Sequence, residues 1–282
     1  MKRLQTIARR GSRNLLFYLL VTLGAVGMVM PFLWMISTSL RESSYILDVP
    51  TGLIPAEPTL SNFSRAWTAN NFQLYFKNSL LVALPSVFFV LLFSAMMAYA
   101  FARFDFFGKE AIFYTILLVL MVPNMIGIIP QFLLAKSLGL RNSLLGLIVF
   151  YVAGSIPFNA FLLRGFFETL PRELEDAILI DGGNYFTVFF RMVLPLSKPA
   201  LATVAIFSFL GFWDEFVLAL TLIDDPGKRT LPIAIATFQG QHGTDWALVF
   251  AASLIAAVPV ILVFVTLQRF FIGGLTAGAF KG

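Results

Sequence analysis

The stretch PRELEDAILIDGGNYFTVFFRMVLPLSKP, Pro171 to Pro199, gathers acids, bases, a glycine pair and three prolines between neighbours that are almost purely apolar. Pro171 suits a first helical turn, and Glu173, Glu175 and Asp176 favour the positive end of a helix dipole. Leu174, Ala177 and Ile178 share one face of that short helix. Gly182-Gly183 breaks it. Asn184 caps a second short helix with Phe186, Phe189 and Phe190 as its apolar side, and Pro195 stops that helix before the next apolar run. The phenylalanines either anchor this knob to the rest of the protein or belong to its core. On composition alone the favoured reading is an amphipathic loop lying on lipid headgroups.

Its surroundings set the fold class. Hydrophobic residues make up 59% of the 282 and charged residues 12%, and mean hydropathy is +0.85, against roughly 45–50% apolar and about 25% charged in soluble domains. A helix needs about 20 apolar residues to cross ~30 Å of hydrocarbon. Uncharged runs of that length cover 14–40, 78–102, 111–135, 142–163 and 246–268, and a further run over 199–223 is interrupted by Asp214 and Glu215. The reading is an all-α polytopic membrane protein with six transmembrane helices and a cytoplasmic loop, 168–198, between the fourth and fifth. The period-two alternation of a membrane barrel is missing.

Lys2, Arg3, Arg9, Arg10 and Arg13 precede the first run, and basic residues at helix ends stay on the cytoplasmic side. With six crossings both termini are then cytoplasmic, and the inner segments hold 13 of the 20 Lys and Arg residues. The first run is too long for the ~7–15-residue core of a cleaved signal peptide. Residues 1–13 therefore read as a cytoplasmic segment and 14–282 as the transmembrane domain.

Cysteine is absent and there is one histidine, His242, which reads as a solvated loop residue. Thiolate and metal-cluster chemistry are excluded. Neither Gly108-Lys109 nor Gly227-Lys228 lies in a GxxxxGK[ST] loop, so the chain has no phosphate cradle of its own. The net charge of +5 follows from the cytoplasmic bias and does not point to nucleic acid.

In register, Asp176-Ala177-Ile178, Asp181-Gly182-Gly183 and Met192-Val193-Leu194-Pro195 resemble the cytoplasmic loop of ABC importer permeases, EAAxxDGA followed after eight residues by IxLP. Asp176 stands in place of Glu, with Glu175 before it; Ile178 and Gly183 replace alanines, and Met192 replaces Ile. NSLLVALPS from Asn78, MVPNMIGIIPQF from Met121, IPFNAFLLRGFF from Ile156 and QRFFIGGLTAGAFKG from Gln268 look like the maltose-type, carbohydrate-uptake class. The resemblance covers nearly the whole chain.

It implies a bacterial inner-membrane subunit that is not itself an enzyme and binds no cofactor. The partners it implies are a second, homologous permease, two ATP-binding subunits holding ATP and Mg, an extracytoplasmic solute-binding protein and membrane lipid. Glu175, Asp176, Ala177, Asp181, Gly182, Gly183, Leu194 and Pro195 would couple to the ATPases, and the end of the chain, Gly278 to Gly282, would approach them. Trp213, Asp214 and Glu215 are the candidate solute pathway, an aromatic face beside hydroxyl acceptors. An ion-coupled carrier using Asp214 and Glu215 as ion sites is the alternative.

Overall fold

Long runs of Leu, Phe, Ala and Met satisfy every internal backbone group as helix, the one open-chain solution in lipid. In the computed structural model, which describes residues 2–42, 54–55, 57–238 and 244–279, every regular element is helical. They are α1 (Lys2–Ser39), α2 (Ser61–Thr68), α3 (Phe72–Arg103), α4 (Lys109–Leu118), α5 (Ile128–Ser137), α6 (Leu144–Phe167), α7 (Glu173–Ile180) and α8 (Tyr185–Val188). After a turn of wider π-helix at Phe189–Val193 come α9 (Leu194–Leu196), α10 (Lys198–Trp213), α11 (Val217–Leu222), α12 (Leu231–Thr237) and α13 (Trp246–Ala279). His242 and the last three residues lie outside the described residues.

The chain divides into two units, Met1–Asn70 with Thr237–Ile255, and Asn71–Ala236 with Ala256–Gly282. In the first, the apolar part of α1, Phe17–Ser39, is almost wholly exposed. Asn62 of α2 is buried and donates to the carbonyls of Ser39 (2.9 Å) and Arg41 (2.6 Å), satisfying the frayed end of α1. Arg65 pairs with Asp245 at 3.1 Å, just before α13.

The second unit is built on α3, whose small buried residues Ser79, Ala83, Ser86, Ser94 and Ala98 let α6 and α10 approach closely. Charged clusters mark both ends of this unit. Arg164 of α6 donates to Glu110 (2.6 Å) and Glu168 (2.8 Å) and lies 4.3 Å over the Phe113 ring. These bonds hold the Glu110 carboxyl below its usual range. At the other end Arg141 pairs with Asp224, and Asn142, at φ +57°, accepts from the Asp225 amide (3.0 Å) and the Lys228 amine (3.1 Å).

Among the described residues four helices are long and apolar enough to cross a membrane alone, and up to six crossings result if each of two bent pairs is one span. The expected span 111–135 is not one straight helix: its halves meet at 93°. Pro123 is the cause, since it forces Val122 into an extended conformation (φ −86°, ψ 119°) and offers no amide hydrogen. The expected span 199–223 is also broken. α10 stops at Trp213 after 16 residues, about 24 Å, and α11 begins at Val217. At the other end of α10, the segment Tyr185–Leu196 meets it at 76°, beside Pro195 and Pro199.

Candidate functional site

The polar loop forms two short helices joined by the glycine pair, as its residues require. α7 begins at Glu173, two residues after Pro171, with three acids in its first turn. It ends when Gly182 adopts φ +84°. The Gly182 amide donates to the Leu179 carbonyl (3.1 Å) and the Gly183 amide to the Ile178 carbonyl (2.9 Å), the paired bonds of a Schellman stop. Asn184 then caps α8, its side chain accepting from the Thr187 amide at 2.9 Å.

Gly183 and Ile178, the two departures from alanine in the loop motif, are in contact. A Cβ on Gly183 would lie 2.6 Å from Ile178 Cγ2 and 2.8 Å from its carbonyl oxygen. The extra bulk at 178 thus fills the space that alanine would need at 183. Gly183→Ala is expected to destabilise the loop by about 1–3 kcal/mol through overpacking, and Ile178→Ala with Gly183→Ala to recover part of that loss. Thermal unfolding of the two variants in detergent is the measurement; equal midpoints would mean that the contact carries no strain.

The faces of α7 are not divided as the apolar spacing suggests. Ile178 and Leu179 pack inward, whereas Leu174, Ala177 and Ile180 (85% exposed) point out beside Asp176 and Asp181. Glu175 is only 7% exposed and turns inward, its Oε1 lying 2.5 Å from Arg103 Nε. Burial pushes the Glu175 carboxyl above its usual range, against the lowering pull of Arg103. The same guanidinium donates to the Leu170 carbonyl at 2.8 Å. Asp176, in motif register, is therefore the exposed acid, and Glu175 is the internal one.

Phe189 is buried with Val188, Met192 and Val193 against Tyr99 and Leu163, so it belongs to the core. Phe186 (70% exposed) and Phe190 lie outside it. Tyr185 packs edge-on against Phe104, 4.9 Å between centroids. Leu194 packs on the same core, and Pro195 is exposed.

At the break after α10, Trp213 is 2% exposed, stacked on Phe209 and edge-on to Phe76, and its Nε1 donates to the Ala256 carbonyl at 3.0 Å. Glu215 accepts from the Leu218 (2.7 Å) and Ala219 (2.9 Å) amides and from the Tyr151 hydroxyl (2.7 Å), so its carboxylate caps α11. Asp214 is exposed. The break brings the three residues together in sequence while giving them different work: one core aromatic, one cap and one free-facing acid.

Arg103 and Tyr151 were not singled out by sequence pattern. Arg103 served only as the boundary of an apolar run, and Tyr151 is one aromatic among many. An arginine closing a long apolar run, ahead of a loop with paired acids, is the signal that points to such a pair.

Residues 49–275 match the family described as binding-protein-dependent transport system inner membrane component. The chain belongs to this family. The permease is 37% identical over 264 residues to the diacetylchitobiose uptake system permease protein NgcG of Streptomyces coelicolor, covering 93% of this chain and 87% of that one. It is 34% identical over 278 residues to the galactooligosaccharides transport system permease protein GanQ of Bacillus subtilis, covering 97% and 98%. In fold it is similar to a chain of a bacterial ABC transporter involved in the import of the polysaccharide alginate, with TM-score 0.80, 22% identity, and coverage of 92% and 96%. As a family member the permease is a transport component rather than an enzyme, and family membership leaves the ion-coupled carrier reading without support.

Proposed function

We propose that this permease carries a sugar or oligosaccharide across the inner membrane as half of an ATP-driven, binding-protein-dependent importer. The observation that carries this reading is the loop at Glu173–Pro195. Its exposed face, Asp176, Ala177, Ile180, Asp181, Gly182 and Phe186, is an unpartnered, mixed apolar and acidic surface on a rigid double turn. Such a knob suits docking to an ATP-binding subunit whose movement it passes to the helices. The sugar relatives support the substrate class, and the family description supports delivery by a binding protein.

In this reading each bent pair belongs to a single crossing, the helices cross six times, and both termini are cytoplasmic. A sister permease completes the pathway, and two ATP-binding subunits hold the ATP and Mg. Asp214 is the residue best placed to meet a hydroxylated solute, with Trp213 and Glu215 fixing the shape of the break around it. The functional test is to purify the assembled transporter and measure its ATP hydrolysis against a panel of mono- and oligosaccharides with its binding protein. Stimulation by none of them removes the sugar reading.

Orientation is tested separately, because the chain has no cysteine to mask. Ser61→Cys is expected to react with a membrane-impermeant maleimide added outside intact cells, and Thr187→Cys only after lysis. Outside labelling of Thr187→Cys would invert the topology.

A further inference from the structure

α3 is bonded to a loop at each of its ends. At Arg103, its last residue, one guanidinium joins Glu175 of α7 (2.5 Å) and the Leu170 carbonyl (2.8 Å), so it holds the docking helix and the turn that leads into it. Tyr99, one turn back, packs against Phe104 and Phe189, fastening the second half of the loop. At the opposite end, Asn78 donates to the carbonyls of Gly227 (3.1 Å) and Arg229 (2.9 Å), and Ser79 Oγ accepts from the Leu231 amide (2.8 Å). Asn78 is buried, and the Arg103 side chain is only 5% exposed. At ~1.5 Å per residue, residues 78 and 103 are about 38 Å apart. That exceeds the ~30 Å hydrocarbon layer, so α3 is long enough to put the two grips on opposite faces of the membrane.

Two of the other routes between these loops are interrupted. α4 and α5 meet at 93°, and the segment leading into α10 meets it at 76°. α6 shares the outer grip through Asn142 and packs on the core of the docking loop through Leu163 and Phe167, but among the described residues no hydrogen bond or ion pair ties it to α7. α3 is a single helix throughout.

We propose that Arg103 and Asn78 are positioning residues that make α3 a strut, carrying displacement of the docking loop to the opposite loop at residues 224–231. The inference rests on the docking reading of Glu173–Pro195. A buried ion pair adds little stability over an apolar contact of similar volume. What the pair at Arg103 supplies is one fixed register, where apolar surfaces alone would slide.

The test uses the whole transporter in proteoliposomes, with Lys228→Cys as the one reactive thiol on the outer loop. Its rate of modification by an impermeant maleimide is compared without nucleotide and with Mg·ATP plus vanadate. The background with the strut intact is expected to change rate by about fivefold or more, the lower bound of common site-to-site coupling. In Arg103→Met with Glu175→Met, and separately in Asn78→Leu, that change should fall below about twofold while the ATP-binding subunits still co-purify and hydrolyse ATP. Where either variant fails to insert, Asn78→Asp, which keeps the side-chain shape but cannot donate to the Gly227 and Arg229 carbonyls, reads the same loss, and Glu175→Gln, which keeps only a neutral acceptor, a partial one.

An undiminished response in both variants would overturn the strut, as would an unresponsive thiol in the intact background or loss of the ATP-binding subunits from the variants. Failure of the docking reading looks different: Gly182→Leu would then leave co-purification and coupling unchanged whatever the state of Arg103 and Asn78.

Discussion

Gly182→Leu is expected to abolish most solute-stimulated ATP hydrolysis in the assembled transporter, while the permease still inserts and unfolds at a nearly normal temperature. Two costs are separable at this position. The φ of +84° charges any larger L-residue about 1–2 kcal/mol. A Cβ there meets nothing within 4 Å in this chain, so added bulk points into open space where a partner would feel it. Gly182→Asn is the control, because asparagine tolerates the left-handed turn and is shorter. If the elbow lies against an ATP-binding subunit, Asn keeps most of the coupling and Leu removes ~1–3 kcal/mol of it, roughly 5- to 150-fold. Equal stimulation in the two variants would show that the elbow faces solvent.

The second large effect is one of stability. Glu175→Ala leaves Arg103 charged in a site where its side chain is only 5% exposed, and breaking one side of a buried pair costs about 3–5 kcal/mol. The apparent Tm in detergent is expected to fall by roughly 10 °C. Glu175→Gln keeps a carbonyl acceptor for the guanidinium and should lose less, and Arg103→Met with Glu175→Met should return close to the starting value. A Glu175→Ala protein as stable as its parent would mean that water reaches Arg103 and the pair is not a buried one.

Much of this architecture could be read from the chain, and the reasons differ by element. The short helices of the loop were legible because their signals are local: acids in a first turn, a glycine pair, an asparagine cap, a proline. Gly182 was legible as a helix stop, because glycine adopts a positive φ at the least cost. The bends were less legible. A hydropathy window averages over Pro123 and over Asp214-Glu215, so it reports an apolar length and not its direction. Burial was the least legible of all. Leu174 and Ala177 lie on an apolar stripe that the loop leaves exposed, while Glu175, in the middle of an acidic run, is the member turned inward. Which side of a short helix is covered depends on a residue far away in sequence, here Arg103, and helical spacing carries no record of it. The same holds for Glu215, whose partners include Tyr151 on another helix.

The pairing of Arg103 with the loop also has a history within each molecule as it is made. The Leu170 carbonyl that Arg103 grasps lies 67 residues further along the chain, and Glu175 follows after that. At ~5–20 residues per second a ribosome needs roughly 3–13 s to deliver the partner. In the proposed orientation Arg103 is, for that interval, a bare cation at the end of a freshly inserted helix, on the cytoplasmic side that such residues favour. In that orientation one side chain serves two successive purposes during biogenesis, first favouring the direction in which its helix is threaded, then pairing its charge with Glu175 when the loop emerges. A nascent chain truncated before Glu175 would retain the orientation and lack the latch.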